Sequence, residues 1–153
     1  MTGIEAFLRR QTEIIDRVGW AVTLVVPTDD DPDRAPAFAY TVGLTAHHYP
    51  ELLIAGLDPA TSQALLNDLA GRVYGNAERF HHGQRIGDLI AGYDAVVVAG
   101  APTDQLHPGA AFGRYGRDRV RLQQIVWPDP DGRFPWDSGY TYPSEVQPLI
   151  GHL

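Results

Sequence analysis

The sequence predicts an α+β protein with a mainly antiparallel sheet or small split barrel and two principal helices. Three observations carry that prediction. Short apolar runs rich in Val, Ile, Thr and aromatic residues recur along the chain, and most follow one another without the spacing of βαβ units. Two stretches hold a clear helical period. Pro- and Gly-rich segments separate the runs, but none is long enough to divide the chain, so residues 1–153 read as a single domain.

The first element is a helix over 3–18, in which Ile4, Phe7, Leu8, Ile14, Ile15 and Val18 recur at helical spacing. Thr2 and Glu5 suit a capping box, and Gly19 supplies the stop. Trp20–Val26 reads as a buried strand, followed by the acidic loop Pro27–Pro36. Phe38–Leu44 and Glu51–Leu57 are the next two strands, joined by a short loop that holds His47 and His48. Asp58 then caps a second helix with Pro59 in its first turn and Leu65, Leu66, Leu69 and Val73 as its apolar stripe, ending before Gly75. Gly83 and Gly87 leave 78–90 ambiguous. Tyr93–Ala99 and Arg119–Trp127 are strands separated by a Pro/Gly-rich connector at Ala101–Gly116. The aromatic tail from Arg133 to Pro143 has no period and must be held on the body by packing.

Composition removes several chemistries together. There is no Cys, and all 12 basic residues are Arg. Lysine Schiff bases, the P-loop lysine, thiol nucleophiles and thiolate metal sites are therefore excluded. A net charge of −7 argues against general nucleic-acid binding, which draws its affinity from cationic neutralisation of phosphates. No run approaches the roughly 18 apolar residues that span a bilayer, and no signal-peptide core is present, so a cytoplasmic location is expected.

Read as a strand, Phe38, Tyr40, Val42 and Leu44 share one bulky face, while Ala37, Ala39, Thr41 and Gly43 form a nearly bare one. A bare face lets a backbone or a flat ligand approach closely. Arg114, Arg117, Arg119 and Arg121 form the one basic cluster, and the last two project to the same side if extended. Such guanidinium groups hold phosphate or carboxylate by paired hydrogen bonds. The adjacent pairs His47-His48 and His81-His82 point to opposite sides of an extended chain. A metal would therefore need one His from each pair, completed by a carboxylate such as Glu51 or Asp137. No helical His motif supports such a site. Asp137, between Trp136 and Ser138, reads as either a turn-closing residue or a carboxyl whose aromatic surroundings raise its pKa. None of Ser62, Ser138 and Ser144 sits in a nucleophile elbow.

Specific phrases recur from a known family: Gly19-Trp20, the Phe-Ala-Tyr-Thr-Val-Gly-Leu strand at 38–44, Pro50-Glu51-Leu52, Leu65–Ala70, and Trp127-Pro128-Asp129 with Gly132–Trp136. Over most of its length the chain resembles a bacterial family known as the domain of unknown function 4262, which implies kinship without a reaction. More distantly, Thr41–Thr45 and Pro50–Ile54 are similar to the paired strands of flavin-reductase-like split barrels. That resemblance implies a flavin met by amides, hydroxyls and Arg, often at a homodimer seam.

The reading that follows is a small-molecule-binding protein for a planar or anionic ligand such as a flavin. Its candidate ligand residues are Tyr40, Thr41, Gly43, Thr45, His47, His48, Arg119, Arg121 and Trp127. A resident metal is not expected, and the cofactor is left open. The alternatives are a non-catalytic homodimeric interaction module, assembled through the acidic surface and aromatic tail, and a His-based metal-assisted hydrolase.

Overall fold

The computed structural model describes residues 2–28, 30 and 36–153. The helix predicted over 3–18 forms there as α1 (Gly3–Val18), with Thr2 Oγ1 accepting the Glu5 amide at 3.1 Å. Gly19, at φ 110°, donates its amide to the Ile15 carbonyl and closes the helix in a conformation that glycine adopts without penalty. Three antiparallel strands follow: β1 (Ala21–Val25), β2 (Phe38–Val42) and β3 (Glu51–Ala55). Of the acidic loop between β1 and β2, residues 29 and 31–35 lie outside the described residues. α2 (Pro59–Asn76) starts on Asp58, whose carboxylate accepts the Thr61 amide. β4 (Arg85–Ile90) and β5 (Tyr93–Gly100) form a hairpin, and α3 (Gly109–Tyr115) leads to β6 (Leu122–Val126).

The six strands lie in the order β1-β2-β3-β6-β5-β4, which makes an open sheet rather than a barrel, because β1 and β4 end it on opposite sides. Among the described residues all pairings are antiparallel except one, the β3–β6 seam. That parallel seam is invisible in local spacing, since the crossover from β3 to β6 runs through α2, the β4–β5 hairpin and α3.

Both faces of the sheet are covered, so β2 is buried at every position rather than on alternate ones. On the face of Ala39, Leu52, Ile54, Val97 and Ile125, α2 packs Leu66, Leu69, Ala70 and Val73. The nearly bare face of β2 is thus the seat of a helix: small residues there let α2 come close. Opposite, Phe38, Tyr40, Val42, Leu53 and Leu122 meet Leu106, Ala111 and Ile150. Further along that same face, Val96, Val98 and Val126 are covered by Phe134 of the tail. Each such large side chain, fully buried, contributes roughly 1.5–3 kcal/mol.

α3 is a third helix that the sequence hides, because a short segment with Gly109 and Gly113 has no periodic signal. Its start is held from outside. The buried Tyr40 hydroxyl accepts the Ala110 amide at 3.0 Å, across 70 residues of sequence.

Candidate functional site

The turn after β2 is organised by one carboxylate. Glu51, at the start of β3, is fully buried. Its Oε1 accepts from Thr41 Oγ1 at 2.8 Å and the Leu44 amide at 3.1 Å. Its Oε2 accepts from the Gly43 amide at 3.2 Å, the Thr45 amide at 2.8 Å and Thr45 Oγ1 at 2.6 Å. The amides open the single 3₁₀ turn Leu44–His47, whose unpaired N–H groups make its start a natural acceptor site. Burial pushes the Glu51 carboxyl above its ordinary value, and the bonds from Thr45, Thr41 and Gly43 offset part of that rise. A ring of N–H and O–H donors repels a cation, so Glu51 does not suit the metal-ligand role considered from sequence.

Gly43 is required at its position: at φ 138°, an added Cβ would lie 2.5 Å from the Gly19 carbonyl oxygen and 2.7 Å from Trp20 Cα. The glycine of the strand motif therefore admits another backbone, that of Gly19-Trp20. Trp20 is in turn fixed by its indole N–H, which donates to Asn67 Oδ1 of α2 at 2.9 Å.

Directly outside this network lies a cavity of about 280 Å³ lined by Thr45, His48, Tyr49, Pro50, Asp118, Arg119 and Arg121. It sits where β3 and β6 begin, tied together by the Glu51 amide donating to the Arg121 carbonyl at 2.9 Å. Arg119 and Arg121 precede β6 rather than lying within it, because the strand starts at Leu122. Arg119 closes the turn at 117–119, its amide donating to the Gly116 carbonyl, so it is not extended; Val120 is nonetheless buried between two exposed arginines that line the same cavity. The Arg119 guanidinium lies over the Tyr115 ring, 5.9 Å from its centroid. His48 ends the 3₁₀ turn at φ 60°, a left-handed conformation uncommon for a residue with a Cβ.

Of the nine candidate ligand residues, Thr45, His48, Arg119 and Arg121 therefore meet at one cavity. The other five do not line it. Tyr40 is buried under α3, Thr41 and Gly43 serve the Glu51 network, and His47 turns away to stack edge-on against Tyr74 at 4.8 Å. Trp127 is buried elsewhere, donating its indole N–H to the Ala55 carbonyl at 2.7 Å. Its ring borders a separate, mostly apolar cavity of about 430 Å³ with Leu57, Leu65, Leu89, Tyr93 and Tyr142. Tyr49, Pro50 and Asp118 are cavity residues that the sequence reading missed; they flank His48, Glu51 and Arg119, and proximity in sequence was the available signal.

The second carboxylate hub is Asp129 in the Trp-Pro-Asp turn. Its Oδ1 accepts the Asp131 and Arg133 amides, each at 2.9 Å, and its Oδ2 accepts the Thr141 amide and hydroxyl, also at 2.9 Å. Covering by the turn raises its pKa, yet these bonds outweigh that effect and hold the carboxyl below its ordinary value. Asp137 closes the next turn by accepting the Phe134 amide at 2.8 Å and is exposed. Among the described residues no three His, Asp or Glu side chains converge in a metal-binding group, so the two His pairs are not joined into a ligand set. No helix among them is long and apolar enough to cross a membrane.

A family model for the domain of unknown function DUF4262 matches residues 14–141. The chain belongs to this family. The matched span contains the Glu51 and Asp129 hubs and every lining residue of the 280 Å³ cavity. Among solved structures, the DUF4262 chain is similar to a protein described as a SUFU (suppressor of fused protein) homologue from Neisseria gonorrhoeae FA 1090. The two are 16% identical with a TM-score of 0.49, over 73% of this chain and 60% of that one. The DUF4262 chain thus matches less than two thirds of that structure's length. No curated protein matches the chain.

Proposed function

We propose that the chain binds a small anionic molecule through a phosphate or carboxylate group, seated between the Thr45–Pro50 turn and the Asp118–Arg121 segment. The observation that carries this reading is the convergence of Arg119 and Arg121 on one cavity with Thr45 and His48, while neither arginine forms an ion pair with a described residue. Two guanidinium groups against the single carboxylate of Asp118 leave the cavity net positive in a chain of charge −7. Guanidinium forks recognise planar oxyanions by paired, charge-assisted bonds. The Thr45 hydroxyl is already committed to Glu51, so its role is to fix the turn that carries His48.

Size narrows the ligand. At about 280 Å³ the cavity falls just below the roughly 300–1,000 Å³ of clefts that enclose drug-sized molecules. Tyr40 and Trp127, the rings expected to stack on a flat ligand, lie elsewhere, and the ring of Tyr49 on the lining is buried and already carries the Arg79 guanidinium at 5.2 Å. This favours a compact anion, or the phosphate end of a larger molecule, over an enclosed flavin ring.

Calorimetric titration with inorganic phosphate, citrate and flavin mononucleotide tests the idea. Saturable binding of at least one is expected, weakening as salt is added. Arg121→Ala should weaken it at least roughly tenfold, the loss of one charge-assisted contact, without shifting thermal stability. Binding that is absent for all three compounds, or unchanged in Arg119→Ala and Arg121→Ala, would sink the proposal.

A further inference from the structure

The sheet has two unlike edges. β4 is guarded by Arg85 and Asp88, interrupted by Gly87, and shifted in register between Ile86 and Ile90. β1, with the sequence Ala-Val-Thr-Leu-Val, carries no charge, proline or glycine and pairs with β2 in unbroken register. No backbone hydrogen bond from another described residue reaches its outer side. An edge left in that state is a template for strand addition, which proteins ordinarily block.

Apolar surface is concentrated around the same edge. Along α1, Ile4 is 73% exposed, and Phe7, Leu8, Ile14 and Val18 are about two-fifths exposed. The one residue that α1 buries fully is polar Gln11, which donates to Thr23 Oγ1 of β1 at 3.1 Å. On the other side of β1, Leu24 and Val26 are exposed as well.

We propose that this edge joins the same edge of a second copy of the chain, with β1 antiparallel to its counterpart and the two α1 helices flanking the junction. Charge favours a second copy. Across residues 2–26, Glu5, Glu13 and Asp16 are balanced by Arg9, Arg10 and Arg17, so the face is neutral although the whole chain carries −7. Antiparallel pairing also brings the Glu5 end of one helix towards the Arg17 end of the other. Area points the same way: the exposed parts of these seven apolar residues, divided between α1 and the other side of β1, sum to on the order of 600 Å² available to a partner that covers both sides of the edge. Standard interfaces bury roughly 800 Å² per partner, a gap that the strand backbone and flanking polar residues can fill. A self-complementary edge closes on itself as a two-fold dimer, and the guarded β4 edge stops further growth. The inference is independent of the anion site.

Sedimentation velocity and light scattering of the full chain over a concentration series test it, together with hydrogen exchange of the Ala21–Val25 amides. The expected result is twice the chain mass at high concentration, falling on dilution, with exchange of those amides slowing as the dimer fills. Leu24→Lys and, separately, Ile4→Glu alter exposed side chains and should keep the circular dichroism spectrum while weakening association at least tenfold. A chain that stays monomeric throughout the series overturns the proposal. So does a dimer whose mass and β1 exchange are unchanged by both substitutions.

Discussion

Glu51 and Asp129 solve the same problem in opposite settings. Each carboxylate gathers backbone amides and threonine hydroxyls from a turn that has no regular structure of its own. Glu51 does so deep beneath the start of β3, where loss of water dominates and its pKa rises. Asp129 is also hidden from water, at 1% exposed, but the cover is its own turn of exposed residues, and there the hydrogen bonds win and its pKa falls. The same kinds of donor, five on Glu51 and four on Asp129, therefore stabilise two turns with opposite responses to pH. Depth, rather than the number of bonds, sets the sign.

The contrast is broken most severely by removing the deep carboxylate. Glu51→Ala leaves three amides and two hydroxyls without their acceptor and should cost about 3–5 kcal/mol in urea unfolding. Asp129→Ala should cost clearly less, because its donors belong to the exposed residues Asp131, Arg133 and Thr141, where water can take the place of the lost carboxylate. Equal losses would show that depth does not govern the two hubs.

A finer test separates two hydroxyls on the same carboxylate. Thr41 Oγ1 donates to Glu51 and also accepts the Leu52 amide at 2.9 Å, whereas Thr45 Oγ1 shows the single bond to Glu51. Thr41→Val, nearly isosteric, should therefore destabilise by about 2–3 kcal/mol, against about 1 kcal/mol for Thr45→Val. Reversal of that order would mean that the Leu52 amide finds another partner.

The smallest effect is the pH dependence itself. The contribution of Glu51, whose folded pKa is raised, is fully present below about 4.5 and is lost as pH rises through the folded value. The contribution of Asp129, whose folded pKa is lowered, is present above about 3.8 and is lost as pH falls through its folded value. Unfolding free energies measured from acid to neutral pH should accordingly change slope in opposite directions in Glu51→Gln and Asp129→Asn. Parallel slopes would contradict the assignment.

The sequence made local features legible and non-local ones obscure. α1, with its capping box and glycine stop, and the start of α2 are written in neighbouring residues, and both form as read. The β3–β6 seam depends on partners far apart in sequence. The same holds for α3, whose first turn leans on Tyr40. At the candidate site, the arginines and His48 stood out because charge clusters are visible in one dimension. Glu51 did not announce its role: next to histidines, a single acid opening an apolar strand reads as a carboxylate that could complete a metal site until its five donors converge. The Tyr-Thr-x-Gly-Leu and Pro-Glu-Leu phrases are two halves of that one network, and the Trp-Pro-Asp phrase is the head of the other.

The lone parallel seam also orders events during folding. Every bond to the Glu51 side chain spans 6 to 10 residues, so the β2 turn and β3 can organise with little loop-closure cost. Joining β3 to β6 closes a much longer loop that holds α2, the β4–β5 hairpin and α3, and the ties across this closure, such as Trp127 to Ala55, span 72 residues. Chains rich in such distant contacts fold slowly. The turn carrying His48 would then be shaped before Arg121 reaches it, leaving the assembly of the binding cleft as a late event that can be timed.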